Sequence, residues 1–284
     1  MQLHRASNFT LQQLTDAYNQ TRVDYIVPMP MNVARLEAYI RAYDVDLDAS
    51  WVAMDRRIIF GLGMLGIRDY RAWITRVGVL PIGRRQGTGR AIVNRLVESA
   101  ENRGCSEVWI EVIAGNKPAR QLFITGGFVQ TRELMVARRP PAHTSPISAQ
   151  GLVEASSVDV TELDRSQILP YLDNQRQEPN WLNQSDSFRS SENVKGMLVS
   201  IDGGGKGWVA YQAREFQLAH IVVEVLAGDP VQVTSATLRS LHKSYPAHDA
   251  IMENMVAESP CWPAFVNVGY FEVFRRNEMV RRSN

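Results

Sequence analysis

The chain has 284 residues, 45% of them hydrophobic, with 31 Lys and Arg against 30 Asp and Glu for a formal net charge of +1. That length is comfortable for two domains, and the hydrophobic share supplies a core and excludes wholesale disorder. The balanced charge excludes bulk attraction to nucleic acid or to an anionic membrane as the main partnership.

The N-terminal segment is polar and has no apolar signal core, and no apolar run is long enough to span a bilayer. Thr10-Leu11-Gln12-Gln13 reads as a capping box, so a helix carrying Leu11, Leu14 and Tyr18 is expected after it. Tyr25 to Pro30 is a loop signal, and Asn32 caps a second predicted helix with Leu36, Tyr39, Ile40 and Tyr43 at helical spacing. From Ser50 the period changes. Trp51–Met54, Gly63–Ile67 and Trp73–Val79 read as strands, with a turn at Asp55-Arg56-Arg57. Gly87–Arg103 is a predicted helix with Ile92, Val93, Leu96, Val97 and Ala100 as its apolar stripe, stopped by Gly104. Glu107–Ile113 reads as a strand, Lys117–Ile124 as a helix and Phe128–Ala137 as a strand.

Residues 140–150 hold Pro140, Pro141 and Pro146, a composition that favours a linker between domains at 1–139 and 151–284. Beyond it the order repeats. Met197–Ile201 and Gly207–Gln212 read as strands around Asp202-Gly203-Gly204-Gly205-Lys206, which favours a hairpin turn over a phosphate loop because strands flank it. His220–Val225 reads as a strand, and Asp229-Pro230 starts a helix. Glu111, Pro118, Phe123 and Gly127-Phe128 align without gaps on Glu253, Pro260, Phe265 and Gly269-Tyr270, which points to a duplication.

The chemistry-bearing stretch is Val77-Gly78-Val79-Leu80-Pro81-Ile82-Gly83-Arg84-Arg85-Gln86-Gly87-Thr88-Gly89-Arg90. A strand runs into a basic glycine-containing turn that opens a helix. Free N–H groups and the dipole of a helix start attract anions, and Gly87 and Gly89 allow close backbone approach. Arg84, Arg85 and Arg90 add charge-assisted donors, as in a pyrophosphate cradle. A solvated basic turn that merely caps a helix is the competing reading. Neither a Walker loop nor a dinucleotide fingerprint is present.

Together with Asn116-Lys117-Pro118-Ala119-Arg120-Gln121-Leu122-Phe123 and Gly127-Phe128, this stretch resembles the GCN5-related N-acetyltransferase (GNAT) family. Arg84, Gly87 and Gly89 match its phosphate motif. Asn116, Ala119, Leu122, Gly127 and Phe128 match its later one. The resemblance is strong from about Trp51 to Ala137. It implies an α/β fold of two tandem GNAT-like domains, each a mixed, mostly antiparallel sheet with helices on both faces. It also implies acetyl-CoA as co-substrate and an amine acceptor. Backbone groups of Val77, Gly78 and Val79 would pair with the pantetheine arm. Arg84, Arg85, Gln86, Gly87, Thr88, Gly89 and Arg90 would hold the pyrophosphate. Asn116 would bond the pantetheine, Phe123 would border it, and the strands ending near Val79 and Ile113 would splay apart.

Glu111 is the candidate base, weighed against a purely structural role, because it matches a base position in ribosomal-protein alanine acetyltransferases of the family. Phe123 stands where the family carries a thiolate-protonating Tyr, and Thr75 where many relatives carry a glutamate. The Phe123 departure keeps open a non-catalytic acyl-CoA-binding protein as the alternative. Tyr18, Tyr25, Tyr39 and Tyr43 are open between an acceptor cleft and core packing. The second half reads Gly228-Asp229-Pro230-Val231-Gln232-Val233 where the cradle should stand, so a degenerate copy is expected there. Cys105 and Cys261 are too few for a secreted disulfide framework, which favours a cytoplasmic location, and Cys261 reads as inert. The five histidines show no metal-ligand spacing. The reading includes no nucleic acid and no membrane partner, and it is compatible with a homo-oligomer.

Overall fold

The computed structural model describes residues 1–27, 29–56, 58–141 and 157–283, so most of the expected 140–150 linker lies outside the described residues, as does Arg57 of the expected turn. By contacts the chain divides into two units, one of residues 1–132 with 276–284 and one of residues 133–275.

In the first unit, β1 (Gln2–Arg5) precedes α1 (Leu11–Gln20) and α2 (Val33–Ala42). The capping box at Thr10 forms as read: its side chain accepts from Gln13 N–H, and Gln13 accepts from Thr10 N–H. Asn32 Oδ1 accepts from Arg35 N–H and caps α2. β2 (Trp51–Asp55), β3 (Ile58–Arg68) and β4 (Arg71–Val79) follow as an antiparallel run with β1 at its edge. Then come α3 (Thr88–Asn102), β5 (Glu107–Ile113), α4 (Lys117–Thr125) and β6 (Val129–Arg139). The apolar stripe of α3 packs on Ala72, Ile74, Val108, Ile110 and Val112, while α1 and α2 lie on the opposite face, where Thr21 and Tyr39 meet β4.

The second unit repeats the plan. Its order is β7 (Val158–Leu163), α5 (Arg165–Asp173), α6 (Ser185–Arg189), β8 (Val194–Ile201), β9 (Gly205–Ala213), β10 (Gln217–Ala227), α7 (Pro230–Ser244), β11 (Asp249–Val256), α8 (Trp262–Asn267) and β12 (Phe271–Arg282). β8 and β9 form the expected hairpin, with Ile201 opposite Gly205. Alternation sends Val209 to the face covered by α7 and Trp208 to the face covered by α5.

The two end strands are exchanged. Residues 276–282 of β12 pair antiparallel with β5 and complete the first unit. Residues 134–139 of β6 pair antiparallel with β11 and belong to the second. The duplication is visible side chain by side chain. Phe123 meets Phe128 edge to face at 5.4 Å, and Phe265 meets Tyr270 in the same way at 5.1 Å. Gly127 and Gly269 both have left-handed backbone, and beside them run Arg281 and Arg139, one from each exchanged strand.

Candidate active site

β4 and β5 run parallel but pair only at Arg71–Glu107, Ala72–Val108 and Trp73–Trp109. Above that rung they continue to Val79 and Ile113 without a shared ladder, so the β5-facing edge of β4 is open. The β3–β4 register also slips between Met64–Thr75 and Leu62–Gly78. Arg76 sits at the slip with φ 54°, the extra residue of a β-bulge. One extra residue reverses the alternation. Below it Ala72 and Ile74 enter the core under α3; above it Val77 and Val79 pack against that core. Trp73, Thr75, Arg76 and Gly78 are thereby turned towards α1 and α2. Gly78 is needed there, because a Cβ at this position would lie 2.2 Å from Thr21 Oγ1.

On the open edge, Val77 C=O accepts from Arg22 Nη2 at 3.1 Å and Val79 C=O from Arg84 Nε at 3.0 Å. Arg84 also makes a two-pronged ion pair with Asp24, at 2.5 and 2.6 Å, and this bond holds the Asp24 carboxyl below its ordinary value. Just beyond, α3 starts without a side-chain cap. Its N-cap is Gly87 with φ 82°, and the first bond into the helix runs from Ala91 N–H to Gly87 C=O. The N–H groups of Thr88, Gly89 and Arg90 therefore have no helical carbonyl to meet. Arg85, Gln86 and Arg90 are exposed around them, and Thr88 is buried beneath. Asn116 spends Oδ1 on capping α4 through Ala119 N–H, which leaves its Nδ2 donors directed elsewhere.

On the α1–α2 side, Trp73 Nε1–H donates to Glu111 Oε2 at 2.6 Å and fixes the orientation of that carboxylate. Tyr39 hydrogen-bonds Thr75 through its hydroxyl and packs on Tyr43 at 4.6 Å. Burial pushes the Tyr39 phenol up to about 12. Tyr18 and Tyr43 are buried and Tyr39 is half-buried, and together they pack as an aromatic wall against β4. Phe123 is 3% exposed and lies in the core beneath α3.

These elements match known proteins. Residues 12–128 fit the model of the Acetyltransferase (GNAT) family. Residues 12–128, within the first unit, are a GNAT domain by that match. Within it, 57 residues are 39% identical to the [ribosomal protein bS18]-alanine N-acetyltransferase of Escherichia coli strain K12, covering 20% of this chain and 38% of that protein. The chain thus spans about two fifths of that relative's length. Two solved structures share the whole tandem fold. A tandem GNAT protein from the clavulanic acid biosynthesis pathway superposes with TM-score 0.66 at 14% identity, over 100% of this chain and 99% of that one. A GCN5-related N-acetyltransferase from Sphaerobacter thermophilus gives TM-score 0.69 at 15% identity, over 96% and 92%.

The second unit has the same fork of strands, but filled. β10 and β11 pair only at Gln217–Asp249 and Leu218–Ala250, but residues 181–183 fill the divergence. Asn180 and Asn183 donate to the carbonyls of Asn254 and Glu253, and Arg176 donates to those of Val225 and Leu226. Trp181 and Leu182 are buried in this plug. Asp229 caps α7 with its own carboxylate through Gln232 N–H at 2.8 Å, where the GNAT domain has Gly87.

Three residues near Glu111 and β4 escape a reading of the sequence. Glu278 stands directly opposite Glu111 in the β5–β12 ladder, buried and held by Arg132 Nε at 2.6 Å and by Thr131. It reaches this place through the strand exchange, which no local motif signals. Arg22 and Arg76 are the others. Arg76 carries no distinct local signal, since β4 also holds Arg71 and Thr75.

Proposed function

We propose that the GNAT domain transfers an acetyl group from acetyl-CoA to the amine of an acceptor by direct attack, with both substrates bound together. The observation that carries this reading is the open β4 edge running into an uncapped helix start. Acetyl-CoA, when bound, supplies the activated acyl group. Val77 and Val79 offer backbone N–H and C=O to the pantetheine amides, in the manner of an added strand. Arg22 and Arg84 release those carbonyls as it enters. The N–H groups of Thr88, Gly89 and Arg90 face the pyrophosphate, with Arg84, Arg85, Gln86 and Arg90 around it and Gly87 leaving room for close approach. Asn116 Nδ2 donates to the pantetheine, and Phe123 forms its apolar floor.

Glu111, oriented by the Trp73 indole, takes the ammonium proton directly or through water. A backbone N–H near Val79 stabilises the oxyanion. Phe123 has no proton to give, so water or a tyrosine of the α1–α2 wall serves the departing thiolate. The location is cytoplasmic in this reading; among the described residues no helix is long and apolar enough to cross a membrane. The buried Phe123 also suits a second reading, a protein that holds acyl-CoA without turning it over.

Calorimetry with coenzyme A and thiol release across an amine panel separate the two. One coenzyme A per chain with amine-dependent thiol release is the expected result. Binding without release on any amine would favour the second reading, and absence of binding would refute both.

A further inference from the structure

Resting on that reading, we infer that the acceptor amine carries a carboxylate, as an amino acid does, and that Arg76 with Arg22 receives it. Arg76 occupies the bulge of β4, on the face of Trp73 and Thr75, at the level where β4 and β5 have parted. Its guanidinium lies 4.1 Å from the centre of the Tyr39 ring and 5.3 Å from that of Tyr18. Nη1 donates to Tyr18 Oη at 2.9 Å and contacts Met29 Sδ. Arg22 lies against the same Tyr18 ring at 5.2 Å and against Tyr25 at 3.9 Å. Its Nη2 donates to Val77 C=O.

Neither arginine has a carboxylate partner among the described residues, and the Nε–H of each is buried without an acceptor. Several other arginines have carboxylate partners: Arg84 with Asp24, Arg132 with Glu278, Arg275 with Glu133. Desolvating a guanidinium without an anion is costly, and leaving its donors unmade adds to that cost. Arg76 also keeps a left-handed backbone that β-strands disfavour. Two half-buried cations on one aromatic wall, each with a buried Nε–H lacking an acceptor, form a place prepared for an anion, and the planar fork of Arg suits a carboxylate. Glu111 stands on the other side of the same wall, joined to it through Trp73 and through the field it exerts on Tyr39. An α-amino acid would set its carboxylate on the arginines and its amine towards Glu111 and the fork. A protein N-terminus has an amide where the amino acid has its carboxylate, so it lacks the group that the arginines require.

The test uses the full chain and matched pairs: the standard α-amino acids and their carboxamides. Thiol release from acetyl-CoA gives kcat/KM, and calorimetry on the protein saturated with coenzyme A gives acceptor binding independently of turnover. At least one amino acid is expected to exceed its carboxamide by roughly 100-fold, the scale of lost charged hydrogen bonds. Arg76→Met should erase most of that preference while leaving coenzyme A affinity within about twofold, and Arg22→Met should also weaken the preference; Arg76→Lys should restore part of it, since a buried cation remains. Carboxamides used or bound as well as the acids would overturn the inference. So would loss of coenzyme A affinity in both methionine variants, which would assign the arginines to the phosphates. Failure of the wild type to bind coenzyme A would instead strike the acetyltransferase reading itself.

Discussion

At the residue scale the proposed chemistry turns on Glu111 and on the indole that aims it. Glu111→Gln keeps the shape and the Trp73 bond but cannot take a proton. The expected outcome is a fall in kcat of roughly 100-fold or more with coenzyme A affinity unchanged, the loss shrinking at high pH where the amine is already neutral. Rate–pH profiles beside thermal melts check it: a normal rate at neutral pH would leave Glu111 with a structural role only. Glu278 provides a contrast. It is buried against the part-exposed Arg132, so Glu278→Gln takes the charge out of that pair, with an expected stability cost of about 1–3 kcal/mol measured by urea denaturation. Glu111 stands out in the sequence as a candidate because it matches a base position in relatives of the resembled family. Glu278 does not, since it lies far along the chain from Glu111, that separation carries no local signal, and only strand pairing brings the two together.

At the element scale, two glycines do different work on the two sides of β4. Gly87 opens α3 with left-handed backbone and no side chain in the path of a ligand. Gly87→Val forces a β-branched residue into that conformation, at about 1–2 kcal/mol, and covers the free N–H groups. Calorimetry should show coenzyme A affinity lowered at least about tenfold. Gly78 instead lets the end of α1 touch the strand. Gly78→Ala drives a methyl into Thr21, with an expected cost of about 1–3 kcal/mol and a displaced Tyr18–Arg76 wall. The basic glycine turn announced itself in the sequence. Gly78 gave no hint of its packing role, because the partner, Thr21, lies on another element. The bulge at Arg76 was equally silent, since it is a property of two strands in register and not of one.

At the scale of the whole molecule, the exchanged strands bind the two halves of the chain to each other's folding. A chain ending at Arg275 loses the partner of β5, the buried Met279 and Glu278. Such a truncation is expected to abolish coenzyme A binding and the cooperative melt of the first unit, and supplying residues 276–284 as a peptide should rescue part of both. The second unit adds a pH dependence. Burial pushes His242 down to about 3 from its ordinary 6.5, with the charge of Arg139 adding to the effect. The folded state therefore prefers neutral His242, and the unfolded chain takes up the proton first as pH falls. Stability is fully present above about 6.5 and is lost towards 3, by up to a few kcal/mol. Urea midpoints at pH 7 and 4.5 should fall in the wild type and fall less in His242→Gln.

The sequence by itself determined what local patterns can encode. It specified the helices, through Thr10, Asn32 and Asp229 as caps and through apolar stripes of helical period. It also specified the glycine turn before α3, and the loss of that turn at Asp229-Pro230, where a carboxylate and a missing N–H act within one turn of helix. Only the tertiary structure decided which strands pair. It placed residues 276–282 beside β5, parted β4 from β5 above Trp73, turned Arg76 to the aromatic wall, and filled the second fork with residues 176–183. Each of these rests on contacts between residues far apart in the chain, whose free energy depends on what lies across the ladder or the core and leaves no periodicity behind.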